Sequence, residues 1–273
     1  MNLTGFLFFC VMFRDKIVWI TGASSGIGEA LAEAFDKEGA KLILSARNEE
    51  KLSLLKERLE NKEHHIVVPL DLEHSQNFPE KVVQVVDHYG RIDILVNNGG
   101  ISQRSEVHET SLEVDRKIME INYFGNIALT KAVLPVFRSQ KSGHFLVISS
   151  ISGKFGFFLR SAYSASKHAL HGFYESLFLE EEKNNIKVTI ACPGKINTPI
   201  SLSAITGSGE KHGEMDHNQA TGMPAEVCAQ QLLAAVKANK IEVLIGNKEI
   251  KAVTLKRLAP KLFWKVIRKQ SAT

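Results

Sequence analysis

Seven short apolar runs, at residues 16–21, 41–46, 65–70, 92–97, 143–149, 188–191 and 242–245, punctuate this chain. Between them lie amphipathic stretches at 49–60, 79–88, 111–137, 162–184 and 224–238. A strand with one wet face alternates apolar with polar residues. These runs do not, so both of their faces must be covered. Strand and helix in steady alternation then predict an α/β fold, a single doubly wound domain whose parallel sheet of about seven strands carries helices on both faces. No internal repeat and no linker interrupts the span. The one stretch without a pattern is 196–222, rich in Gly, Ser, Thr and His. A loop of that length inside a compact domain is usually functional, and here it is expected to be a substrate lid.

The chain has 273 residues, 44% of them hydrophobic and 23% charged, which suits one large domain and excludes a disordered or fibrous protein. Cys10, Cys192 and Cys228 are odd in number and scattered, so neither a disulfide framework nor a Cys/His metal site is expected. A reduced, cytoplasmic compartment is the default. Net charge is +4, but residues 248–273 carry eight lysines and arginines against one glutamate, so the rest of the chain is mildly acidic. No finger, RNP or helix-turn-helix pattern accompanies that charge, and nucleic acid is not an expected partner.

The two ends stand apart from the alternating body at 14–247. Residues 1–13 are almost wholly apolar (Leu3, Phe6, Leu7, Phe8, Phe9, Val11, Met12, Phe13). They are too few for a span of about 20 residues and lack the basic start of a secretory signal. Three readings stay open: initiation at Met12, a short leader touching a membrane, or a packed segment. The tail, 248–273, mixes its basic residues with Leu255, Leu258, Leu262, Phe263, Trp264, Val266 and Ile267. Such an amphipathic segment can lie on an anionic membrane or pack over the mouth of a site or on a neighbouring subunit.

The first run leads into Thr21-Gly22-Ala23-Ser24-Ser25-Gly26-Ile27-Gly28 and then a helical stretch. Glycines at 22, 26 and 28 permit a tight turn and close backbone approach to a pyrophosphate, and the following helix N-terminus offers unpaired N–H donors. This is the arrangement of a Rossmann-type domain. The spacing, Gly-x-x-x-Gly-x-Gly, is not the usual dinucleotide fingerprint, and no P-loop lysine follows.

That loop resembles the cofactor loop of the short-chain dehydrogenase/reductase family, and the rest agrees in order over about residues 14–247. Asn97-Asn98-Gly99-Gly100 is similar to the family's Asn-Asn-Ala-Gly, with Gly99 in place of Ala. Asn122, Ser150, Tyr163-x-x-x-Lys167 and Pro193-Gly194 fall where the family pattern puts them. The resemblance implies cofactor contacts from Gly22, Ser24, Ser25, Gly26, Ile27, Gly28, Asn98, Gly99, Tyr163, Lys167, Pro193, Gly194 and Ile196. It further implies adenine contact by Asp71, a hold on the nicotinamide amide by Thr198, and a water-linked proton relay from Asn122 to Lys167. Homodimers or homotetramers are what such a family suggests.

The chemistry of these residues supports the same reading. Tyr163 and Lys167 are four apart in a helical stretch and share a face, although such pairs are common on surface helices. A free tyrosine, with a pKa near ~10, is a poor base, and a neighbouring ammonium and an oxidised nicotinamide both favour the tyrosinate. The phenol can then exchange a proton with an alcohol or alkoxide. Ser150 ends an apolar strand, where parallel sheets bind ligands, and can donate to the substrate oxygen. Ser149 competes for that role, but strand alternation points it to the opposite face.

An NAD site usually carries an acid at the end of strand two. Here the stretch is Leu44-Ser45-Ala46-Arg47-Asn48, with no acid before Glu49. Arg47 can pair with a 2′-phosphate, so NADP(H) is preferred over NAD(H). Phe155, Phe157 and Phe158 lie between Ser150 and Tyr163 and suggest either an apolar pocket wall or a core or subunit contact. The expected function is hydride transfer between NADP(H) and a hydrophobic carbonyl or secondary alcohol. The alternatives are a non-catalytic NADP(H)-binding regulatory or scaffold protein and an epimerase or dehydratase that reuses Tyr163 and Lys167. Lys195 reads as solvated, and His168 and His171 as surface or interface residues rather than a metal pair.

Overall fold

The computed structural model describes residues 12–271. Cys10 and most of the apolar leader lie outside the described residues, and of that leader Phe13 is buried edge-on against Phe35, with ring centroids 4.9 Å apart.

The chain begins with β1 (Ile17–Thr21), α1 (Gly26–Lys37), β2 (Lys41–Ser45), α2 (Glu49–Arg58), β3 (Ile66–Val67), α3 (Phe78–Tyr89) and β4 (Ile94–Asn97). Next come α4 (Leu112–Met119), α5 (Gly125–Gln140), β5 (Gly143–Ile148), α6 (Ser161–Glu181) and β6 (Ile186–Pro193). β7 (Ile196–Asn197), α7 (His217–Ala220), β8 (Met223–Pro224), α8 (Ala225–Lys237) and β9 (Glu242–Ile245) come after them, and α9 (Lys251–Leu258) and α10 (Pro260–Ile267) close the chain. The main sheet has seven parallel strands in the order β3-β2-β1-β4-β5-β6-β9. The order reverses direction between β1 and β4, and ligands of doubly wound sheets bind beyond the carboxyl ends of the strands at that point.

Strand alternation explains why the apolar runs are continuous. Val18 and Ile20 face one core layer with Leu31, Phe35 and Leu232, while Ile17 and Trp19 face the other with Leu95, Phe145 and Tyr174. The start of α2 obeys capping chemistry: the Asn48 side chain accepts from the Lys51 N–H, and Glu49 and Glu50 complement the N-terminal dipole of the helix.

Three elements differ from the sequence reading. The stretch 111–137 is not one helix: a π-helical turn at Glu120–Phe124 separates α4 from α5. β3 is shorter than 65–70, although Val68 N and Leu70 N go on donating to the Leu44 and Ala46 carbonyls. The segment 196–222 is tied down rather than structureless. β7 pairs with β8, and Ile205 bridges both Gln103 and Lys211. Gln103 in particular is far away in sequence, so no local pattern announces that order. Among the described residues, no helix is long and apolar enough to cross a membrane.

Candidate active site

The exits of β1 and β4 are locked together. Thr21 Oγ1 donates to the Val96 carbonyl (3.1 Å) and accepts from the N–H groups of Asn98 and Gly99, both at 3.0 Å. The Asn98 amide donates to the carbonyls of Thr21 and Gly22. Gly22 and Gly26 adopt φ of +65° and +59°, and a Cβ on Gly28 would stand 2.2 Å from the Gly22 carbonyl oxygen. The loop is therefore a bare backbone cradle against the N-terminus of α1, a surface suited to a pyrophosphate.

A cavity of about 1580 Å³ runs from this cradle across the strand ends. Gly22, Ser24, Ser25, Gly26, Ile27, Arg47, Asp71, Asn98, Gly99, Ser150, Tyr163, Lys167, Pro193, Gly194, Ile196 and Thr198 all line it. Of the residues singled out from sequence, Gly28 and Asn122 stand behind the wall. Gly28 acts through close packing. Asn122, fully buried in the π-helical turn, accepts from the Ile101 N–H (2.8 Å) and donates to the Ile101 carbonyl (2.9 Å) and Ser166 Oγ (3.0 Å). Its own carbonyl accepts from the Asn126 amide.

Ser150 and Ser149 diverge as alternation requires. Ser150 lines the cavity with Tyr163, its Oγ donating to the Pro193 carbonyl (3.4 Å) and accepting from the Ser152 N–H (3.1 Å), whereas Ser149 Oγ donates to the Lys167 carbonyl (3.2 Å) and meets His171 Nε2 (3.0 Å). The Lys167 ammonium donates to the Ile148 carbonyl (2.8 Å) and lies 5.7 Å from the centre of the Tyr163 ring. Burial pushes this ammonium down to about 8. The phenol departs from the sequence expectation. Burial raises its pKa above the ordinary value, against the nearby Ser150 hydroxyl and the charges of Arg160 and Arg104, which pull the other way. Spacing shows that an ammonium is near, but not how completely the fold removes water from the hydroxyl.

Two arginines on the wall escape the sequence reading. Arg104 and Arg160 both line the cavity and converge on one buried carboxylate, Asp216 of the segment before α7. Arg104 Nε donates to Asp216 Oδ2 at 2.8 Å and Arg160 Nη2 to the same oxygen at 3.1 Å. Two guanidiniums on one carboxylate leave a net positive charge on the wall. Arg160 stands three residues before Tyr163, a spacing that could draw notice, while nothing local marks Arg104. Lys51, one turn beyond Arg47, also lines the rim where β2 ends.

Other expectations need correcting. Lys195 is half-buried and lines the cavity; its ammonium is bonded to Asn218 and its N–H to Glu249 Oε1 (2.9 Å). Phe155 and Phe157 line the cavity, but Phe158 is exposed. His168 is exposed, whereas His171 is buried. The tail folds back over the cavity: Phe263 stacks on Phe155 (5.2 Å between centroids), and Leu255, Leu258, Val266 and Ile267 form part of the wall.

Comparison with known proteins agrees with this geometry. The short chain dehydrogenase family model matches residues 16–207. A Drosophila melanogaster dehydrogenase/reductase SDR family protein 7-like is 42% identical over 94% of this chain and 80% of its own length. Mus musculus dehydrogenase/reductase SDR family member 7B is also 42% identical, over 93% of this chain and 80% of its own. Among solved structures, a short-chain dehydrogenase from Streptomyces avermitilis superimposes with a TM-score of 0.80 at 30% identity, covering 94% of this chain and all of the other. Levodione reductase does so with a TM-score of 0.79 at 25% identity, over 88% of this chain and 99% of its own. A matching model over most of the chain, relatives above 40% identity and a sheet whose order reverses beside a glycine cradle lead to one conclusion: this chain belongs to the short-chain dehydrogenase/reductase family, oxidoreductases that bind nicotinamide cofactors.

Proposed function

We propose that the protein is an NADP(H)-dependent reductase or dehydrogenase of hydrophobic carbonyl compounds and secondary alcohols, with residues 14–247 as its catalytic unit. The observation that carries this reading is that Tyr163, Ser150 and Lys167 stand together on the wall of a cavity that the glycine cradle also lines.

A bound nicotinamide supplies or accepts the hydride. The chain's own residues handle the proton and the oxygen. Because burial raises the Tyr163 pKa, the phenol is protonated at neutral pH and set to give its proton to a carbonyl oxygen as that oxygen gains charge. Ser150 steadies the same oxygen by donating to it. Lys167 places a cation under the phenol, and Asn122 belongs to the relay behind Lys167, holding the Ile101 peptide at both its N–H and its carbonyl.

Cofactor choice rests on the rim at the end of β2. Arg47 and Lys51 face the cavity there, and two cations suit a 2′-phosphate better than a bare ribose. Substrate class rests on the far wall, where Phe155, Phe157, Leu255, Leu258 and Val266 offer apolar surface. Leu258, Leu262 and Trp264, exposed beside the tail's lysines and arginines, suit peripheral contact with an anionic membrane.

The test is nicotinamide oxidation by a panel of lipophilic ketones and aldehydes. NADPH is expected to exceed NADH in kcat/KM, and Arg47→Ala to erase most of that preference. Tyr163→Phe is expected to lower kcat by about 10²–10⁴-fold while NADPH still binds. Turnover that survives Tyr163→Phe overturns the assignment. Saturable NADPH binding with no turnover favours a regulatory binder, and a tightly held, non-exchanging cofactor favours an epimerase or dehydratase.

A further inference from the structure

We propose that His171, Cys192 and Glu242, none of which lines the cavity, form a binding site for a divalent transition metal ion of the zinc type. No spacing in the sequence announces it, because α6, β6 and β9 each bring one residue. One donor atom from each lies within 4.8 Å of the others.

The nitrogen–sulfur separation matches tetrahedral ligation. His171 Nε2 stands 3.6 Å from Cys192 Sγ. Zinc bonds of about 2.1 Å to nitrogen and about 2.3 Å to sulfur at a tetrahedral angle separate the two donors by about 3.6 Å. Glu242 supplies a third donor, and its partly exposed side chain leaves a path for the ion and for a water as fourth ligand.

A second observation points to the same place. His171 is 6% exposed, yet its Nδ1 has no hydrogen-bond partner and faces two carboxylates, Glu175 Oε1 at 3.7 Å and Glu242 Oε2 at 3.8 Å. A metal-bound imidazole characteristically donates its other ring N–H to a carboxylate, and Glu175 is placed to receive it. Ligation through Nε2 puts the ring proton on Nδ1, directed at that carboxylate 3.7 Å away.

Three changes accompany binding. The imidazole is already neutral, since burial and the charges of Lys154, His168 and Lys167 push it down to about 4, so it needs no deprotonation. The Cys192 thiol, pushed up to about 12 by burial, gives its proton to solvent as the sulfur–metal bond forms. Glu242 leaves the Lys154 ammonium with which it is now paired, and His171 leaves Ser149 Oγ. None of the three ligands lines the cavity, although Ser149 joins His171 to the Lys167 carbonyl.

Cobalt(II) titration of the full chain tests this directly. The expected result is one ion per chain, an intense thiolate-to-cobalt absorption band, and release of about one proton per ion at neutral pH. Zinc should displace the cobalt. Cys192→Ser should remove the band, His171→Gln should weaken binding, and Glu175→Gln should weaken it about 10–100-fold. Circular dichroism and the melting temperature without metal establish that each variant is folded. Absence of the band in the folded parent, or its persistence in Cys192→Ser, overturns the site.

Discussion

The two ends of the cavity are built on different principles. At the cradle, contacts run between neighbouring strands and each ends on backbone: the Thr21 hydroxyl on β4 and the N–H of Gly99, the Asn98 amide on the Gly22 carbonyl, Gly28 on the loop before it. At the other end they are made by side chains from distant segments, Arg104 and Arg160 with Asp216 and Phe155 with Phe263. A bare backbone surface has little freedom to vary, because any added atom collides. Side chains on a connecting segment and a tail can be exchanged without touching the sheet. The family model ends at residue 207, before Asp216 and the tail. Selectivity is therefore expected to depend on what Asp216 and the tail add to Arg104, Phe155 and Arg160.

Asp216→Ala is the harshest test of that contrast. It leaves two guanidiniums facing each other in a site where the lost carboxylate had been fully buried. Removing one side of a buried ionic cluster typically costs about 3–5 kcal/mol. The melting temperature should drop, KM for substrate should rise, and NADPH affinity should change much less. An equal loss at both ends of the cavity would break the distinction.

Phe263→Ala comes next. Phe263 is 1% exposed, and truncating a buried phenylalanine costs about 3–5 kcal/mol, although a terminal helix pair can lose no more than its own local stability. The tail should become sensitive to protease while the global urea midpoint barely moves. Turnover of long apolar substrates should suffer more than turnover of short ones.

A milder perturbation addresses the scaffold that both ends share. His144, buried on β5 against Thr189 Oγ1, is held neutral, its pKa pushed down to about 4 by burial and by Lys187. Its contribution is fully present above the unfolded value of about 6.5 and is lost as pH falls toward 4, because only the unfolded chain takes up the proton in that interval. The ceiling is about 3 kcal/mol. His171 acts with the same sign in the same window. Urea unfolding at pH 7 and pH 5 measures the slope, and His144→Asn should flatten it.

Legibility in the sequence obeys the same divide. β9 lies where its apolar run lies, and Tyr163, Lys167 and Ser150 meet as their spacing and strand alternation imply. These features are local or are set by a strand's own periodicity. The π-helical turn around Asn122 is hidden because the apolar stripe continues from α4 into α5. The order of segment 196–222, the Arg104–Asp216–Arg160 cluster and the seating of Phe263 depend on partners far off in the chain. The direction of the Tyr163 shift is illegible for a related reason: the nearby cation is written in the sequence, but the depth of burial belongs to the whole fold.

The smallest effect belongs to the cradle end and concerns Lys51. Its ammonium is exposed on the first turn of α2, so a charge–charge contact there is worth only about 0.2–1 kcal/mol. Arg47, at the end of β2, is the fork suited to grip a 2′-phosphate, whereas Lys51 adds a diffuse charge one turn further on. Lys51→Ala should therefore weaken NADPH binding by about two- to fivefold and leave NADH binding unchanged. Raising the salt concentration should shrink the difference between the parent and the variant, since exposed charges are screened. A loss shared equally by the two cofactors would mean that Lys51 supports α2 rather than the phosphate, and the rim would then rest on Arg47 alone.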